Sequence, residues 1–232
     1  MSLGEGKQFI DRIDAGRQLA EALVGKIPRD PVVLALPRGG VPLGLEIARR
    51  LRAPLDLLLV RKIGAPGNSE YGIGAVIEGP PPQRVIDEDA CRYAGASDAY
   101  IDVEVLRQIG VIAERRELYL SGRQSIRLKD RDVIVVDDGI ATGNTVRAAL
   151  KGLRGMGVAS VTLAVPVAPA DVVETVKSEV ESLICLKAPG DFRAVGDHYR
   201  DFRQLTDEEV IASLADAGQP ERGTPSSPSR SS

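Results

Sequence analysis

Two adjacent carboxylates, Asp137 and Asp138, follow an apolar, β-branched run, Val133 to Val136, and precede a Gly/Thr/Asn-rich stretch, Gly139 to Thr145. The apolar run has the profile of a strand buried on both faces, which puts the acids at its C-terminal end. A helical pattern (Val146, Ala149, Leu150, Leu153) begins directly after the loop. Free backbone N–H groups and the positive end of the helix dipole point into such a loop, so it is an anion site. Carboxylates accept hydroxyl hydrogen bonds well. Acid pair plus phosphate cradle therefore suits a ligand carrying both hydroxyls and a phosphate, a sugar phosphate. An acid pair after a strand can equally be a solvated turn, or a metal-binding pair as in phosphoacceptor α/β domains. The small hydroxyl residues Thr142 and Thr145, set with Asn144 around Gly143, turn the reading towards a phosphate monoester. The glycines and lysine of a Walker loop are missing, as is the glycine spacing of a dinucleotide fingerprint.

Two other stretches carry chemistry. Pro37-Arg38-Gly39-Gly40 follows an apolar run at Val32 to Leu36. A glycine pair lets backbone N–H groups approach a diphosphate closely, and Arg38 adds a cation; an ordinary strand-to-helix turn is the alternative. Arg61 to Gly74 reads as a glycine-rich loop with two cations, Arg61 and Lys62, and one acid, Glu70. Such a loop can close over a reaction centre and exclude water; the alternative is a surface loop with solvated cations. The lone His198 reads as a surface or hydrogen-bonded residue rather than a catalyst.

The elements that must hold these loops alternate between strand and helix. Asp14 to Lys26 is an amphipathic helix ended by Pro28 and Pro31, Gly44 to Leu51 a second helix, and Leu55 to Val60 a third buried run after Val32 to Leu36. Residues 75–78 and 84–86 form short strands joined through Gly79-Pro80-Pro81-Pro82, a hairpin or arm. A long helix covers 98–120. Val161 to Val165 is a strand, Ala170 to Lys177 a helix and Leu183 to Leu186 a last strand. Residues 188–203 are irregular and polar-aromatic, and Thr206 with Glu209 forms a capping box. The pattern predicts an α/β domain over 9–216, a mostly parallel twisted sheet flanked by helices, with ligands beyond the C-terminal strand ends. The loops 37–40, 61–74 and 137–145 are expected to converge there. Residues 217–232, rich in Pro, Ser and Gly, read as a disordered tail.

Composition narrows the class. The 232-residue chain carries a net charge of −3 with 27% charged residues, which argues against a dedicated nucleic-acid binder. Aromatics make up only 3%, so Leu, Val, Ile and Ala must build the core. Cys91 and Cys185 have neither disulfide-framework nor metal-ligand spacing and are expected to be free thiols. No leader pattern and no membrane-spanning apolar run is evident, so a soluble cytoplasmic protein is expected.

Residues 133–145 resemble the signature of the type I phosphoribosyltransferases: apolar residues, two acids, then a small-residue Thr-Gly loop. The resemblance implies that family's fold, with a small hood from the N-terminal segment and 188–205. It implies that Asp137 and Asp138 hold the ribose 2′- and 3′-hydroxyls of phosphoribosyl pyrophosphate (PRPP), and that Ala141, Thr142, Gly143, Asn144 and Thr145 wrap its 5′-phosphate. Arg38, Gly39 and Gly40 stand where the family has its pyrophosphate loop, which often carries a strained peptide. Arg61, Lys62, Pro66, Gly67, Glu70, Tyr71 and Gly72 resemble the flexible loop of adenine-type members, shortened. Phe192 faintly resembles the aromatic of a purine hood, whereas Ala141 replaces an acid of the purine group, so no purine specificity is carried over. Mg²⁺ is expected as cofactor, held through PRPP oxygens, with Asp137 or Asp138 reaching it through water. The implied reaction transfers 5-phosphoribose to a nitrogenous base, with Lys62 and Arg38 on the leaving diphosphate and Glu70 exchanging a proton. A non-catalytic PRPP- or nucleotide-binding regulator of the same fold is the alternative; intact Arg38, Arg61, Lys62 and Glu70 favour the enzyme. PRPP synthesis is disfavoured, because such chains resemble two tandem copies of this fold. No nucleic acid or membrane partner is expected, and the 98–120 helix and the 79–86 arm are candidates for a homodimer contact.

Overall fold

The computed structural model describes residues 7–27 and 30–217. In chain order the elements are α1 (Arg12–Leu23), β1 (Val32–Ala35), α2 (Gly40–Leu51), β2 (Leu55–Leu57), β3 (Val60–Ala65), β4 (Asn68–Ile77), β5 (Gln83–Ile86), α3 (Glu88–Ala94), α4 (Asp98–Leu120), β6 (Asp132–Val136), α5 (Asn144–Gly155), β7 (Ser160–Val167), α6 (Ala170–Lys177), β8 (Ser182–Lys187) and α7 (Asp207–Ala217). The expected tail from 218 onward and the helix stop at Pro28 lie outside the described residues.

Five strands form a parallel sheet in the order β2-β1-β6-β7-β8. Every residue of β1 is buried, because helices cover both faces. Val33 and Ala35 pack with Leu19, Leu43 and Ile47 of α1 and α2, while Val32 and Leu34 pack with Val146, Leu150 and Leu153 of α5. That two-sided burial is why the strands read as unbroken apolar runs rather than alternations. From β1 the chain moves outward to β2 in one direction, and from β6 outward to β7 and β8 in the other. The strand order therefore reverses between β1 and β6, which pair from Val32↔Val133 to Ala35↔Val136. Ligand crevices form at such a reversal, beyond the strand ends.

The sequence expectation needs correction at several places. The apolar run Leu55 to Val60 is not one strand: β2 joins the parallel sheet, and at Val60 the chain enters a separate antiparallel sheet, β3-β4-β5. The stretch 61–74 is accordingly a hairpin rather than a loop, turning at Pro66-Gly67, with Gly67 at φ 71°. Its glycines disguised it, since Gly is depleted in strands and suggests loop. The expected arm is present as β5, paired with β4 from Gly74↔Ile86 to Ile77↔Gln83. The α4 boundaries match the sequence reading, and α3, short and polar, was missed. α1 begins earlier than expected because Asp11 caps it, accepting from Asp14 N–H at 2.8 Å, and it ends earlier, at Leu23, because Val24 leaves helical geometry.

The two sheets are joined by a nearly buried ion network. Arg116 of α4 donates to Asp56 of β2 at 3.1 and 3.2 Å and to Glu78, just past β4, at 2.8 Å. Asp56 also accepts the Ile126 N–H at 3.0 Å, fixing the segment between α4 and β6. At the opposite end, the N-terminal segment pairs with the irregular 188–203 stretch. Phe9 N donates to His198 O at 2.9 Å, and Arg200 N donates to Phe9 O at 2.9 Å. Among the described residues no helix is long and apolar enough to cross a membrane. Cys91 and Cys185 are free thiols.

Candidate active site

β6 delivers the acid pair. Asp138 N–H donates to Asp137 Oδ1 at 2.9 Å, so the first acid caps the strand end and orients the second. Burial pushes the Asp137 carboxyl well above the ordinary carboxylate range, and the charge of Asp138 pushes it further. Burial also raises Asp138, against the opposing pull of the Arg12 guanidinium. The pair is thus partly dehydrated and favours a ligand that brings hydroxyl donors or positive charge.

Beyond the acids, Ile140 N–H donates to Val167 O at 2.9 Å, pinning the loop to the end of β7. Gly143, at φ 78°, is the N-cap of α5 and supplies no side-chain cap, and the first turn of α5 carries no acid. The first N–H groups of α5 are left without a side-chain partner, while Ala141, Thr142, Asn144 and Thr145 are exposed around them. This is the composition of an anion cradle.

The loop after β1 lies directly against the acids. The Pro37–Arg38 peptide bond is cis. A Cβ on Gly39 would collide with the Asp138 carboxylate, and one on Gly40 would fall 2.5 Å from Val136 O. Only glycine permits that approach, so two of the three expected loops meet at the strand reversal. The Arg38 side chain, 31% exposed, reaches Asp207 at the start of α7 at 3.6 Å. Asp207 also accepts the Tyr119 hydroxyl at 2.7 Å.

The third stretch meets the cradle from across an open cleft of about 910 Å³, which lies within the size range of small-molecule sites. Lys62 and Glu70 line it on the hairpin side, and Thr142, Asn144 and Thr145 on the α5 side. Lys62 Nζ donates to Glu70 O at 3.0 Å and to its carboxylate at 3.3 Å. Successive strand residues point to opposite faces, and Arg61 turns away: its Nε donates to Gln108 of α4 at 3.3 Å. Arg61 is therefore not brought to the cleft in this arrangement. A second cavity of about 620 Å³, lined by Leu34, Leu57 and Leu58 with the Arg116 network, contains none of the three stretches.

The N-terminal segment and the 188–203 stretch hold all three phenylalanines together with Tyr199. Phe9 and Tyr199 are buried with ring centroids 5.3 Å apart, and Phe202 lies 4.9 Å from Tyr199. The Tyr199 hydroxyl donates to Asp138 O at 2.6 Å, and burial holds that phenol protonated. Phe192 is half-buried and stacks on His198, 5.5 Å between centroids. Burial and Lys187 lower the His198 imidazole, which favours its neutral form. Sequence reasoning missed Arg12, whose Nε donates to Asp138 Oδ2 at 2.8 Å. Nothing in its polar surroundings marked it out.

Comparison with known proteins places the chain in a family. A family model described as "Phosphoribosyl transferase domain" matches residues 9–200. A Mycobacterium tuberculosis protein provisionally named a phosphoribosyl transferase is 43% identical over 208 residues, covering 90% of this chain and 46% of its own length. The chain thus spans about half the length of the curated relatives it matches. The crystal structure of TT1426 from Thermus thermophilus is similar with a TM-score of 0.78 and 46% identity, covering 90% of this chain and 98% of that one.

Proposed function

Since the chain belongs to the phosphoribosyl transferase domain family, we propose that it binds PRPP with Mg²⁺ and transfers 5-phosphoribose to a nitrogenous base, releasing diphosphate. The observation that carries this reading is the contact of the Arg38-Gly39-Gly40 loop with Asp137 and Asp138 at the strand reversal, next to the uncapped start of α5. A ribose held at the acids has its 5′-phosphate beside 141–145 and its anomeric diphosphate beside 38–40. Cleavage of the bond from the anomeric carbon to the diphosphate leaves positive charge on the ribose and negative charge on the leaving group. Asp137 and Asp138 orient the sugar and favour its developing cation. The 39–40 backbone, Arg38 and Lys62 stabilise the departing diphosphate. The base nitrogen then bonds to the anomeric carbon, and its proton passes to Glu70 or solvent.

No cluster of three or more acidic, His or Cys side chains that could hold a metal occurs among the described residues. Hard carboxylate oxygens at Asp137 and Asp138 fit Mg²⁺, and these two acids would help to hold it together with oxygens of the substrate. When bound there, Mg²⁺ supplies charge neutralisation for the diphosphate.

The test is diphosphate release from PRPP and Mg²⁺ over a panel of purine and pyrimidine bases. Release with at least one base is expected. Binding of PRPP without release for any base would replace the enzyme with a regulator of the same fold; the exposed position of Glu70, tied to Lys62, is the feature favouring that second reading. No binding of PRPP would overturn both.

A further inference from the structure

Arg12, the first residue of α1, belongs to none of the strand-end loops, yet it is fastened on three sides. Its Nε donates to Asp138 Oδ2 at 2.8 Å, and its Nη1 donates to the main-chain oxygen of Arg203 at 2.8 Å. Its guanidinium carbon lies 4.0 Å from the centroid of the Phe202 ring. The Arg12 side chain is 11% exposed and that of Asp138 15%. Arg203 and Phe202 fix the guanidinium independently of Asp138, so this is a preset counter-charge rather than a mobile surface pair.

Asp138 is held on its other sides as well. Tyr199 grips its main-chain oxygen, and Gly39 lies against its carboxylate. Among the described residues the side-chain hydrogen bond to this carboxylate, from Arg12, falls on Oδ2. The N-terminal segment and the 188–203 stretch therefore converge on one acid.

We infer that Arg12 is a positioning residue: it holds the Asp138 carboxylate turned to receive the ribose 2-hydroxyl and so ties the N-terminal segment and the 188–203 stretch to the diol end of the site. The inference rests on the PRPP reading above and assigns to these two segments a part in sugar recognition. Outer residues that orient metal ligands are commonly worth about 10- to 100-fold in affinity, and a loss of that order is expected for this acid when its support is removed.

The test compares ribose 5-phosphate with 2-deoxyribose 5-phosphate by calorimetry on wild type, Arg12→Met and Arg12→Lys. Methionine keeps an unbranched apolar stem over Phe202, and thermal melts verify that each variant is folded. Wild type is expected to prefer the ribose form. Arg12→Met should lose about 10- to 100-fold on ribose 5-phosphate and little on the deoxy sugar, so the preference collapses. Arg12→Lys, which restores the charge, should recover part of it. Equal weakening of both sugars in Arg12→Met would reduce Arg12 to a structural clamp and overturn the inference; so would an unchanged preference. Failure of wild type to bind either sugar or PRPP would instead strike the reading of the site itself and take this inference with it.

Discussion

A methyl group at position 39 has nowhere to go but into the Asp138 carboxylate. Gly39→Ala should therefore displace the acid or the 37–40 loop. A thermal or chemical melt should show a loss of roughly 1–3 kcal/mol, the usual cost of overpacking, and PRPP affinity should fall with it. Unchanged stability and affinity would mean that the loop and the acid do not meet as described. At this scale the sequence was legible wherever a residue's type is its signal. Asp137, Asp138 and the 141–145 cradle stand where the spacing put them, because strand, acid and helix start are contiguous in the chain. Arg38 could be singled out from its loop, but its ion pair with Asp207 could not, since a residue far along the chain supplies the partner. Arg12 was illegible for the same reason: its partners are more than a hundred residues away, and its own neighbourhood looks like an ordinary polar helix start.

The elements show where local pattern stops deciding. α4 was readable end to end because Ser97 caps it and apolar residues recur on one face, with Ile101 and Ile112 buried. The hairpin was not, because β3 and β4 carry glycines whose cost is offset by pairing with each other and by packing against α4. What fastens that hairpin to the parallel sheet is the Arg116 network, with side chains of Arg116, Asp56 and Glu78 only 16%, 8% and 14% exposed. Replacing Arg116 by Met leaves two buried acids without their cation. Denaturant unfolding should register a loss of about 3–5 kcal/mol, the range for breaking a buried pair from one side. A loss below about 1 kcal/mol, typical of a surface pair, would show that the network is hydrated and does not join the sheets.

For the whole molecule, burial of acids sets the pH dependence of stability. Burial raises Glu78 despite Arg116, and its Oε2 has no hydrogen-bond partner among the described residues. Burial likewise raises Asp137. A carboxyl whose folded pKa exceeds its unfolded value binds its proton more tightly in the fold. Its contribution is therefore fully present below the ordinary range, about 4.3 for Glu, and is lost as pH rises through the raised folded value. Denaturation of Glu78→Gln over that interval should show a flatter decline with rising pH than wild type; an identical decline would place Glu78 in water. On the proposed reading the same partial dehydration suits Asp137 and Asp138 to a diol, and it bears on the central claim. The α/β class and the strand–acid–cradle order were readable from sequence, but the reversal between β1 and β6 that brings 38–40 onto the acids is a property of strand order, which no local pattern encodes. The most direct measurement is calorimetric titration of PRPP, with Mg²⁺, into wild type and into a variant carrying both Asp137→Asn and Asp138→Asn. The account predicts saturable binding to wild type and its loss in the variant with the fold intact; equal binding to both proteins would contradict it.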